Sequence, residues 1–478
     1  MQYYLTNEQM RAADEYTIRS GFPTATLMLR AGSALADEVY AAAQRLDVKD
    51  VLVVCGTGNN GGDGYACASE LMERGLNVKV YAIEGKRTSD CTREKKRYKG
   101  EYSQRISGKI IVDCIFGTGL TRQVESAFAA VIKKINASSA YVISADVPSG
   151  ISGDTGAVLG TAVKADLTVA LSYIKLGCVL GDGIDYSGKL VVKDIKIKMQ
   201  DAVCACSYDE DDIKALYPSR KRNSHKGTFG TACIVAGSEQ YPGAAALALA
   251  AALKSGCGYV RCAVGEKLKW SFVPVYPQAI YSQEPDLSAE SIAIGMGMGN
   301  TKETYEKVCY LLENYTGKLI IDADAINALA QYGAGVLKKA KCKVLLTPHV
   351  KEFARISGYP LKNIAAKPLE LAQKFAREYN VNVHLKNAVS VTTDGAKCVL
   401  STKGNSALAK AGSGDLLSGL ICGGAARGLD LIQAAVCAQY ALGETAEICS
   451  ENLSEYCVTA TDILNNLHIF IKRLTQGE

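Results

Sequence analysis

An apolar run turns into a glycine-rich corner at Val51-Leu52-Val53-Val54-Cys55, followed by Gly56-Thr57-Gly58-Asn59-Asn60-Gly61-Gly62-Asp63-Gly64. The apolar run is mostly β-branched, which predicts a buried strand. The Asn-Gly and Gly-Gly steps allow backbone angles that other residues resist, so a tight turn is predicted next. Asn59, Asn60 and Asp63 add polar side chains to this corner.

The same alternation of apolar runs and helix-like segments continues through the first half of the chain. Four further strands are predicted, over residues 78–81, 110–113, 141–144 and 167–170. Helices such as 64–74 and 124–134 lie between them, and the Ala-rich segment 8–44 is predicted to form helices before the first strand. This pattern predicts an α/β fold with a parallel sheet covered on both faces. Ligands bind such sheets at the carboxyl ends of the strands.

Two more polar corners follow predicted strands. One reads Asp113-Cys114-Ile115-Phe116-Gly117-Thr118-Gly119-Leu120, and the other reads Asp146-Val147-Pro148-Ser149-Gly150. Together with the corner at 56–64, they are predicted to converge on one rim of the sheet. Asn, Asp and Ser supply only oxygen ligands, which suit a hard cation better than zinc.

The character of the chain changes around residues 200–225. An acidic cluster at 207–212 is followed by Pro218-Ser219-Arg220-Lys221-Arg222-Asn223, which is the candidate linker. The α/β alternation then restarts with the apolar run 231–236. We therefore predict two domains, residues 1–213 and 214–478.

The second half contains Ala411-Gly412-Ser413-Gly414-Asp415, followed by the apolar run 416–421. Small residues let backbone N–H groups approach a ligand, and the start of the predicted helix favours an anion such as phosphate. Asp415 would repel a resting phosphate, so it is better suited to take a proton from a hydroxyl group that reacts with phosphate. The alternative is a glycine-rich loop that only connects two elements.

Other corners of the second half carry glycines, carboxylates and one histidine. Gly295-Met296-Gly297 ends one predicted strand, and Asp322-Ala323-Asp324 ends the next with two carboxylates that suit Mg²⁺. His349 ends another predicted strand, where it is either a ligand contact or a capping or core histidine. A loop at 225–230, His-Lys-Gly-Thr-Phe-Gly, is a further weak phosphate motif.

Composition excludes several classes of protein. The 478 residues are 48% hydrophobic and 22% charged, as in ordinary globular enzymes, and the net charge of +5 gives no support to a nucleic-acid-binding protein. Many of the 17 cysteines lie in apolar runs without C-x-x-C pairs, so we expect a reducing, cytoplasmic setting. The sequence contains no apolar run of about 18 residues, so we expect no membrane span. Its first residues lack a charged start followed by an apolar core, so we expect no signal peptide.

The corners of the first half resemble those of the NAD(P)HX epimerase family, whose members equilibrate the two epimers of hydrated NADH or NADPH. The resemblance covers residues 1–200 and implies a Rossmann-like three-layer domain. It implies that Asp146 is the catalytic acid or base and that Asn60, Asp113 and Ser149 hold potassium. The residues implied to contact the hydrated dinucleotide are Asn59, Asn60, Gly61, Gly62, Asp63, Gly117, Thr118, Gly119, Leu120, Thr121, Arg122, Gln123 and Asp146.

The motifs of the second half, over residues 214–475, resemble the ADP/ATP-dependent NAD(P)H-hydrate dehydratase family, which has a ribokinase-like α/β fold. The resemblance implies ADP or ATP as co-substrate with Mg²⁺, and Asp415 as the catalytic base. The implied hydrate contacts are Ala245, Gly297, His349 and Asp415. The implied nucleotide contacts are Lys386, Asn387, Ala388, Val389, Ser390, Gly412, Ser413 and Gly414.

Several positions depart from the patterns of these families. Arg30 stands where the epimerase pattern has Asn, and Val350-Lys351 stands where the dehydratase pattern has Pro-Gly. Met296, Asn387 and Ala411 replace a proline and two glycines of that pattern. Asn tolerates positive φ, so Asn387 is expected to keep its turn. The change at 350–351 is expected to affect the substrate loop most.

The two resemblances together imply a bifunctional enzyme that repairs hydrated NADH and NADPH. Its first half would interconvert the R and S hydrates, and its second half would dehydrate the S hydrate with ADP or ATP. We expect a homo-oligomer with no nucleic-acid or membrane partner. One alternative is a ribokinase-like kinase of a small vitamin precursor fused to a nucleotide-binding module. Another makes the first half a non-catalytic binding or interaction module.

Overall fold

The computed structural model describes residues 1–199 and 204–476. Residues 2–205 form one compact unit, and Met1 with residues 206–478 forms the other. The predicted boundary at 213/214 falls inside the first helix of the second unit, Glu210–Ala215. Part of the predicted linker, residues 200–203, lies outside the described residues. Within the described parts of the chain, no helix is both long enough and apolar enough to cross a membrane.

The first unit is built on a parallel sheet, as predicted. Its strands are β1 Gln2–Leu5, β2 Asp50–Cys55, β3 Asn77–Ala82, β4 Glu101–Tyr102, β5 Ile110–Cys114, β6 Tyr141–Ala145, β7 Leu167–Leu171, β8 Ile174–Lys175 and β9 Lys189–Lys193. Its helices are α1 Asn7–Arg19, α2 Thr24–Arg45, α3 Asn59–Glu73, α4 Ser89–Arg97, α5 Ser126–Asn136 and α6 Gly183–Ser187. The predicted strands and helices of this unit are therefore confirmed, with ends shifted by a few residues.

Seven strands of the first unit form a sheet in the order β4-β3-β2-β5-β6-β7-β9, and all its pairs are parallel. Apolar side chains of α2 and α3 pack on one face of the sheet, and those of α5 pack on the other. The strand order reverses at β2, whose neighbours are β3 and β5. Such a reversal opens a crevice at the carboxyl ends of the strands, where ligands bind.

The second unit also contains a largely parallel sheet. Its strands are β10 Ala205–Ser207, β11 Thr231–Val235, β12 Tyr259–Ala263, β13 Ile280–Ser282, β14 Ser291–Ile294, β15 Lys318–Ile321, β16 Lys343–Leu346, β17 Asn382–Leu385, β18 Ser390–Thr393 and β19 Cys398–Ser401. Its helices are α7 Glu210–Ala215, α8 Pro242–Lys254, α9 Glu266–Phe272, α10 Lys302–Asn314, α11 Ala323–Tyr332, α12 Val350–Ser357, α13 Leu361–Ala366, α14 Pro368–Tyr379, α15 Ser413–Ala426, α16 Leu431–Cys457 and α17 Ala460–Gln476.

The strands of the second unit run in the order β13-β12-β11-β14-β15-β16-β17-β18-β19-β10. Pairs from β13 to β17 are parallel, whereas β17-β18 and β18-β19 are antiparallel. Helices α8, α15, α16 and α17 contribute to one large apolar core. Here the order reverses at β11, so the carboxyl ends of β14 to β17 define the rim where a ligand is expected.

Candidate active sites at the rims of the two sheets

The corner after β2 is shaped by glycines that permit close packing. A Cβ added at Gly61 would lie 2.3 Å from the carbonyl oxygen of Gly56, and a Cβ at Gly62 would lie 2.6 Å from Sδ of Met28. Neither contact is possible for a larger residue without movement. These glycines therefore let the start of α3 approach the strand end and α2, and this approach places Asn60 at the rim.

A buried hydrogen-bond network joins the corners after β5 and β6. Asp113 is fully buried. Its Oδ1 accepts hydrogen bonds from Oγ of Ser149 at 2.6 Å and from the N–H of Ile115 at 3.2 Å. Its Oδ2 accepts from Oγ of Ser144 and from the N–H of Ser149, both at 2.9 Å. Burial raises the pKa of Asp113, and these hydrogen bonds oppose that rise.

Asn60 reaches the same network from the start of α3. Its Nδ2 donates to the carbonyl oxygen of Phe116 at 2.8 Å, and Ser149 Oγ accepts from the N–H of Phe116 at 2.8 Å. Oδ1 of Asn60 is buried and has no hydrogen-bond partner within the described parts of the chain. A buried polar atom without a partner is costly, so this oxygen is a candidate ligand for a cation.

Asp146, directly after β6, is held in an unusual conformation. Its φ is +70°, a region that non-glycine residues rarely adopt and that is often found at functional sites. Its Oδ1 forms an ion pair with Nζ of Lys175, a side chain with no solvent exposure. Nζ of Lys175 also donates to the carbonyl oxygen of Tyr173 at 3.0 Å. A buried ammonium group thus fixes one oxygen of the Asp146 carboxylate.

The three corners of the first unit face one small space, as the sequence predicted. A Cβ added at Gly117 would lie 3.6 Å from Cβ of Asn60 and 3.8 Å from Oδ2 of Asp146. The second carboxylate oxygen of Asp146 therefore points toward the opening between the corners, while Lys175 holds the first.

Two further carboxyl groups, those of Asp14 and Asp63, lie near this space. Burial, opposed by Lys175 and reinforced by Asp146, raises the pKa of Asp14 to about 6. Burial and the nearby charge of Asp146 raise the pKa of Asp63 well above its usual range. Four ionisable groups, Asp14, Asp63, Asp146 and Lys175, thus share one environment. Such clustering is typical of catalytic sites.

The residues predicted to contact the dinucleotide differ in their exposure to solvent. Residues 121–123 and Gly119 are exposed, so this loop is open to a ligand. Asn59 is also exposed, and its Oδ1 accepts from Oγ1 of Thr88 at 2.9 Å. The side chain of Leu120 lies in the apolar core, so only its backbone faces the loop. Arg30, which differs from the epimerase pattern, lies in α2. Its guanidinium carbon is 5.2 Å from the ring centroid of Phe22.

The start of α15 has the form predicted for an anion site. Gly412 precedes the helix with a φ of +95°, and Asp415 lies in its first turn. Lys410, just before this turn, donates to the carbonyl oxygens of Glu455 at 3.1 Å and Tyr456 at 2.7 Å at the end of α16. The loop that presents the first N–H groups of α15 is therefore anchored to the body of the unit.

A buried ion pair lies beside this helix start. Nζ of Lys386 donates to Oδ1 of Asp322 at 2.7 Å, and Oγ of Ser418 donates to Oδ2 of Asp322 at 2.7 Å. Burial alone would raise the pKa of Asp322, but Lys386 and these hydrogen bonds lower it below its usual range. A Cβ added at Gly414 would lie 3.5 Å from Nζ of Lys386. Lys386 thus reaches the same glycine turn.

Asp415 is half-buried, and no hydrogen bond to its carboxylate is found in residues 1–199 and 204–476. Burial and the charge of Asp322 raise its pKa to about 6, while Lys386 opposes that rise. A free carboxylate whose pKa lies near neutrality is suited to general base catalysis. Its position in the first turn also supports the predicted role.

His349 is the N-cap residue of α12. Its Nδ1 accepts from the N–H groups of Lys351 at 3.0 Å and Glu352 at 3.2 Å, so a capping role is confirmed. Burial and nearby Lys386 lower the pKa of His349, which favours the neutral ring. Its side chain is 46% exposed, so it remains accessible to a ligand as well.

The other residues of the second unit that are predicted to contact ligands range from fully buried to exposed. Ala245 is fully buried and a Cβ at Gly237 would lie 2.8 Å from its Cβ, so its side chain belongs to the core. Gly297 has a φ of +66° beside Tyr241. Asn387 and Ala388 are exposed in the turn between β17 and β18, whereas the side chains of Val389 and Ser390 are buried.

The carboxylates predicted for Mg²⁺ already have partners within the chain. Asp322 is paired with Lys386, and Oδ2 of Asp324 accepts from the N–H of Gly299 at 2.7 Å. No cluster of three or more His, Cys, Asp and Glu side chains suited to a metal ion occurs among the described residues. A magnesium ion in this unit would therefore be held mainly by the phosphates of a nucleotide.

Sequence analysis missed several functional candidates. Lys175 follows the apolar run of β7, and a lysine within the apolar segment 173–176 was the available sign of a buried charge. Ser418 lies in the apolar run after Asp415 and gave no sign of its hydrogen bond to Asp322. Glu352 is buried beside Lys386 and Asp322, and burial raises its pKa.

Comparisons with known proteins find relatives of both halves of the chain. A family model described as NAD(P)H-hydrate dehydratase matches residues 232–468, and one described as YjeF-related protein N-terminus matches residues 24–177. The bifunctional NAD(P)H-hydrate repair enzyme Nnr of Moorella thermoacetica is 32% identical over an alignment of 512 positions, gaps included, which covers 97% of this chain and 95% of that protein. The enzyme of the same name from Thermofilum pendens is 31% identical over an alignment of 464 positions, gaps included, which covers 89% of this chain and 88% of that protein.

A solved structure resembles the second unit. It is the ADP/ATP-dependent NAD(P)H-hydrate dehydratase from Bacillus subtilis, co-crystallised with ATP and Mg²⁺, with 32% identity and a TM-score of 0.52. The match covers 56% of this chain and 99% of that chain. The expected Rossmann-like and ribokinase-like α/β folds are confirmed. Both halves of the chain match along nearly their whole length, and the chain therefore belongs to the family of bifunctional NAD(P)H-hydrate repair enzymes.

Proposed function

We propose that this protein restores hydrated NADH and NADPH through two activities on one chain. The first unit interconverts the R and S hydrates, and the second dehydrates the S hydrate with ADP or ATP. The two activities complement each other because a dehydratase specific for one epimer leaves the other unrepaired. The observation that carries the proposal is the free, half-buried carboxylate of Asp415 at the start of α15 in a chain of this family.

In the second unit, Asp415 takes the proton from the hydroxyl group of the hydrate. The hydroxyl oxygen attacks the terminal phosphorus of the nucleotide, and the phosphoanhydride bond breaks. The original C–O bond of the resulting phosphate ester then breaks and phosphate leaves, while the neighbouring ring carbon loses a proton to solvent, so the double bond of the nicotinamide ring returns. Phosphate is a far better leaving group than hydroxide, which explains the need for a nucleotide.

The backbone N–H groups at 412–414 and the start of α15 support binding of the transferred phosphoryl group. Lys386 lies next to this turn, but its charge is shared with Asp322. Mg²⁺, bound through the nucleotide phosphates, would neutralise part of their charge. Catalysis in this unit is therefore mainly a matter of positioning and charge stabilisation. The other assigned contacts, including Gly297, His349 and residues 386–390, belong to the same proposal.

In the first unit, Asp146 serves as acid or base at the hydroxyl-bearing carbon of the hydrate. Its Oδ2 faces the space beside Gly117, and Lys175 keeps the carboxylate in place. The loop 117–123, in which Gly119 and residues 121–123 are exposed, and the corner at 59–63 are assigned to the dinucleotide.

Potassium is assigned to the network of Asn60, Asp113 and Ser149. The unpartnered Oδ1 of Asn60 supports this assignment, because an amide oxygen suits a hard cation. Asp113 already accepts four hydrogen bonds, so its contribution would be mainly negative charge. A cytoplasmic setting and self-association stay predictions.

The proposal is tested by incubating the purified protein with both hydrate epimers, ADP and Mg²⁺ while the absorbance of reduced nicotinamide is followed. We expect both epimers to be converted fully to NADH or NADPH, because the first unit converts the R hydrate into the S hydrate that the second unit uses. Recovery of the S fraction alone, beyond the slow spontaneous interconversion, would show that the first unit is not an epimerase. No recovery with ADP or ATP, together with phosphorylation of a vitamin precursor, would favour the kinase alternative.

The rate of the dehydratase reaction should fall at low pH. Asp415 must be deprotonated to accept a proton, and its pKa is raised to about 6. We therefore expect kcat/KM for the S hydrate to fall about tenfold per pH unit below pH 6 and to become level about one pH unit above it. The measurement is the initial rate from pH 4.5 to 8 at constant ionic strength. A midpoint near pH 4 would contradict the assigned environment of Asp415.

A further inference from the structure

The second unit contains a cavity of about 480 Å³ that the proposed chemistry does not use. It lies between the last turns of α15, the first half of α16 and the end of α17. Small side chains make the room, since Gly424, Ala434, Ala438 and Ala441 all line it. Its volume falls in the range of small-molecule sites, about 300–1,000 Å³.

The cavity is separate from the nucleotide site. Asp415 lies in the first turn of α15, whereas Leu420 and Gly424 line the cavity further along the same helix. Gly424 follows Asp415 by nine positions, which corresponds to about 14 Å along the helix axis. A ligand in the cavity would therefore not occupy the position of the transferred phosphoryl group.

Positive charge at the cavity is not balanced by the residues that the structure describes. Arg220, Lys254 and Arg427 line it, and no Asp or Glu is among its described lining residues. None of the three forms an ion pair within the described residues. Arg220 and Arg427 converge on Gly256, where an added Cβ would lie 2.6 Å from Nη2 of Arg220 and 3.4 Å from Cδ of Arg427.

Arg427 is the more buried of these two arginines. Its Nε is buried without a hydrogen-bond partner in the described parts of the chain, and its guanidinium carbon lies 4.7 Å from the ring centroid of Tyr217. The stack fixes the plane of the guanidinium group but satisfies none of its N–H donors. Nη2 of Arg220 donates to the carbonyl oxygen of Gly256, which holds this guanidinium group beside Arg427. The remaining donors of the two neighbouring groups suit a carboxylate, sulfonate or phosphate group.

We propose that this cavity is a binding site for a small amphipathic anion. Its acidic group would lie between Arg220 and Arg427. Its apolar part would contact Leu420, Leu467 and Ile471, which form the apolar wall. The inference does not depend on the reaction at Asp415.

The test uses the full chain with saturating ADP and Mg²⁺ and the probe 8-anilinonaphthalene-1-sulfonate in isothermal titration calorimetry. We expect one binding event with a Kd of about 10–100 µM. Decanoate should compete with the probe because it combines a carboxylate with an apolar chain. Decanol and inorganic phosphate, each lacking one of these two parts, should not compete at the same concentration.

Variants connect the binding event to the cavity. Arg220→Met and Arg427→Met should each weaken binding of the probe at least tenfold, and Arg427→Lys should keep part of the affinity. Ala438→Leu should weaken binding by narrowing the cavity. The control Lys302→Met removes an exposed cation on α10 and should leave the affinity within twofold. Thermal unfolding of each variant identifies any that fail to fold.

Three results would overturn the proposal. The first is equal affinity in the two arginine-to-methionine variants and the parent protein. The second is competition by decanol as effective as that by decanoate, because it would remove the role of charge. The third is at least tenfold tighter binding after deletion of Gly477 and Glu478, which would make the acidic chain end, rather than a separate molecule, the occupant.

Discussion

Replacing Asp415 with Asn is expected to lower the rate of ADP-dependent dehydration about 10²–10⁴-fold, the usual effect of losing a general acid or base. An amide cannot accept the proton of the hydrate hydroxyl group, while its size and polarity preserve the helix start. The S hydrate is the substrate for this assay. Binding of ADP should change little, because the backbone N–H groups at 412–414 remain.

The same variant should be more stable than the parent protein. In the folded protein the pKa of Asp415 is about 6, above the usual aspartate value of 3.8. The folded state therefore loses stability as the pH rises from the usual value to the folded value. At pH 7 the charged carboxylate is therefore a cost, which Asn removes. Because the group is only half-buried, we expect the free energy of unfolding to rise on the order of 1 kcal/mol. Lower activity together with lower stability would indicate a structural role instead.

Replacing Asp146 with Asn should reduce enzymatic interconversion of the two hydrates about 10²–10⁴-fold. In the assay with both epimers, ADP and Mg²⁺, the S fraction should still recover at the parent rate. The R fraction should recover only as fast as it converts spontaneously. If the first unit were a binding module, recovery of both fractions would be unaffected by this substitution.

The two substitutions act as controls for each other. Asp415→Asn should leave epimerisation intact, and Asp146→Asn should leave dehydration of the S hydrate intact. Two exposed carboxylates provide further matched controls, Asp185→Asn in the first unit and Asp211→Asn in the second. Loss of both activities in either catalytic variant would contradict the division of chemistry between the units.

The sequence predicted the secondary structure of the sheets well because the signals are local. Apolar runs such as 51–55 and 110–113 became strands of one parallel sheet, and the glycine corners after them became its rim. The convergence of Asn60, Asp113 and Asp146 also followed, since the carboxyl ends of parallel strands share one edge.

Long-range pairing was harder to predict. Lys175 and Asp146 are 29 positions apart, and Lys386 and Asp322 are 64 positions apart. No local pattern joins such residues, because the sheet order decides which strand ends meet. The burial of Ala245 was missed for a similar reason. In an Ala-rich helix such as α8, periodicity hardly distinguishes the face that packs in the core from the face that meets a ligand.

The anchoring of Lys410 to the end of α16 should affect how tightly and how fast a nucleotide binds. A loop that is already fixed in the free protein loses little conformational entropy when a nucleotide arrives, so more of the interaction free energy remains as affinity. Association can then be limited by diffusion and orientation, without a slow rearrangement of the loop. The phosphate site proposed at the start of α15 would therefore be formed before the nucleotide binds.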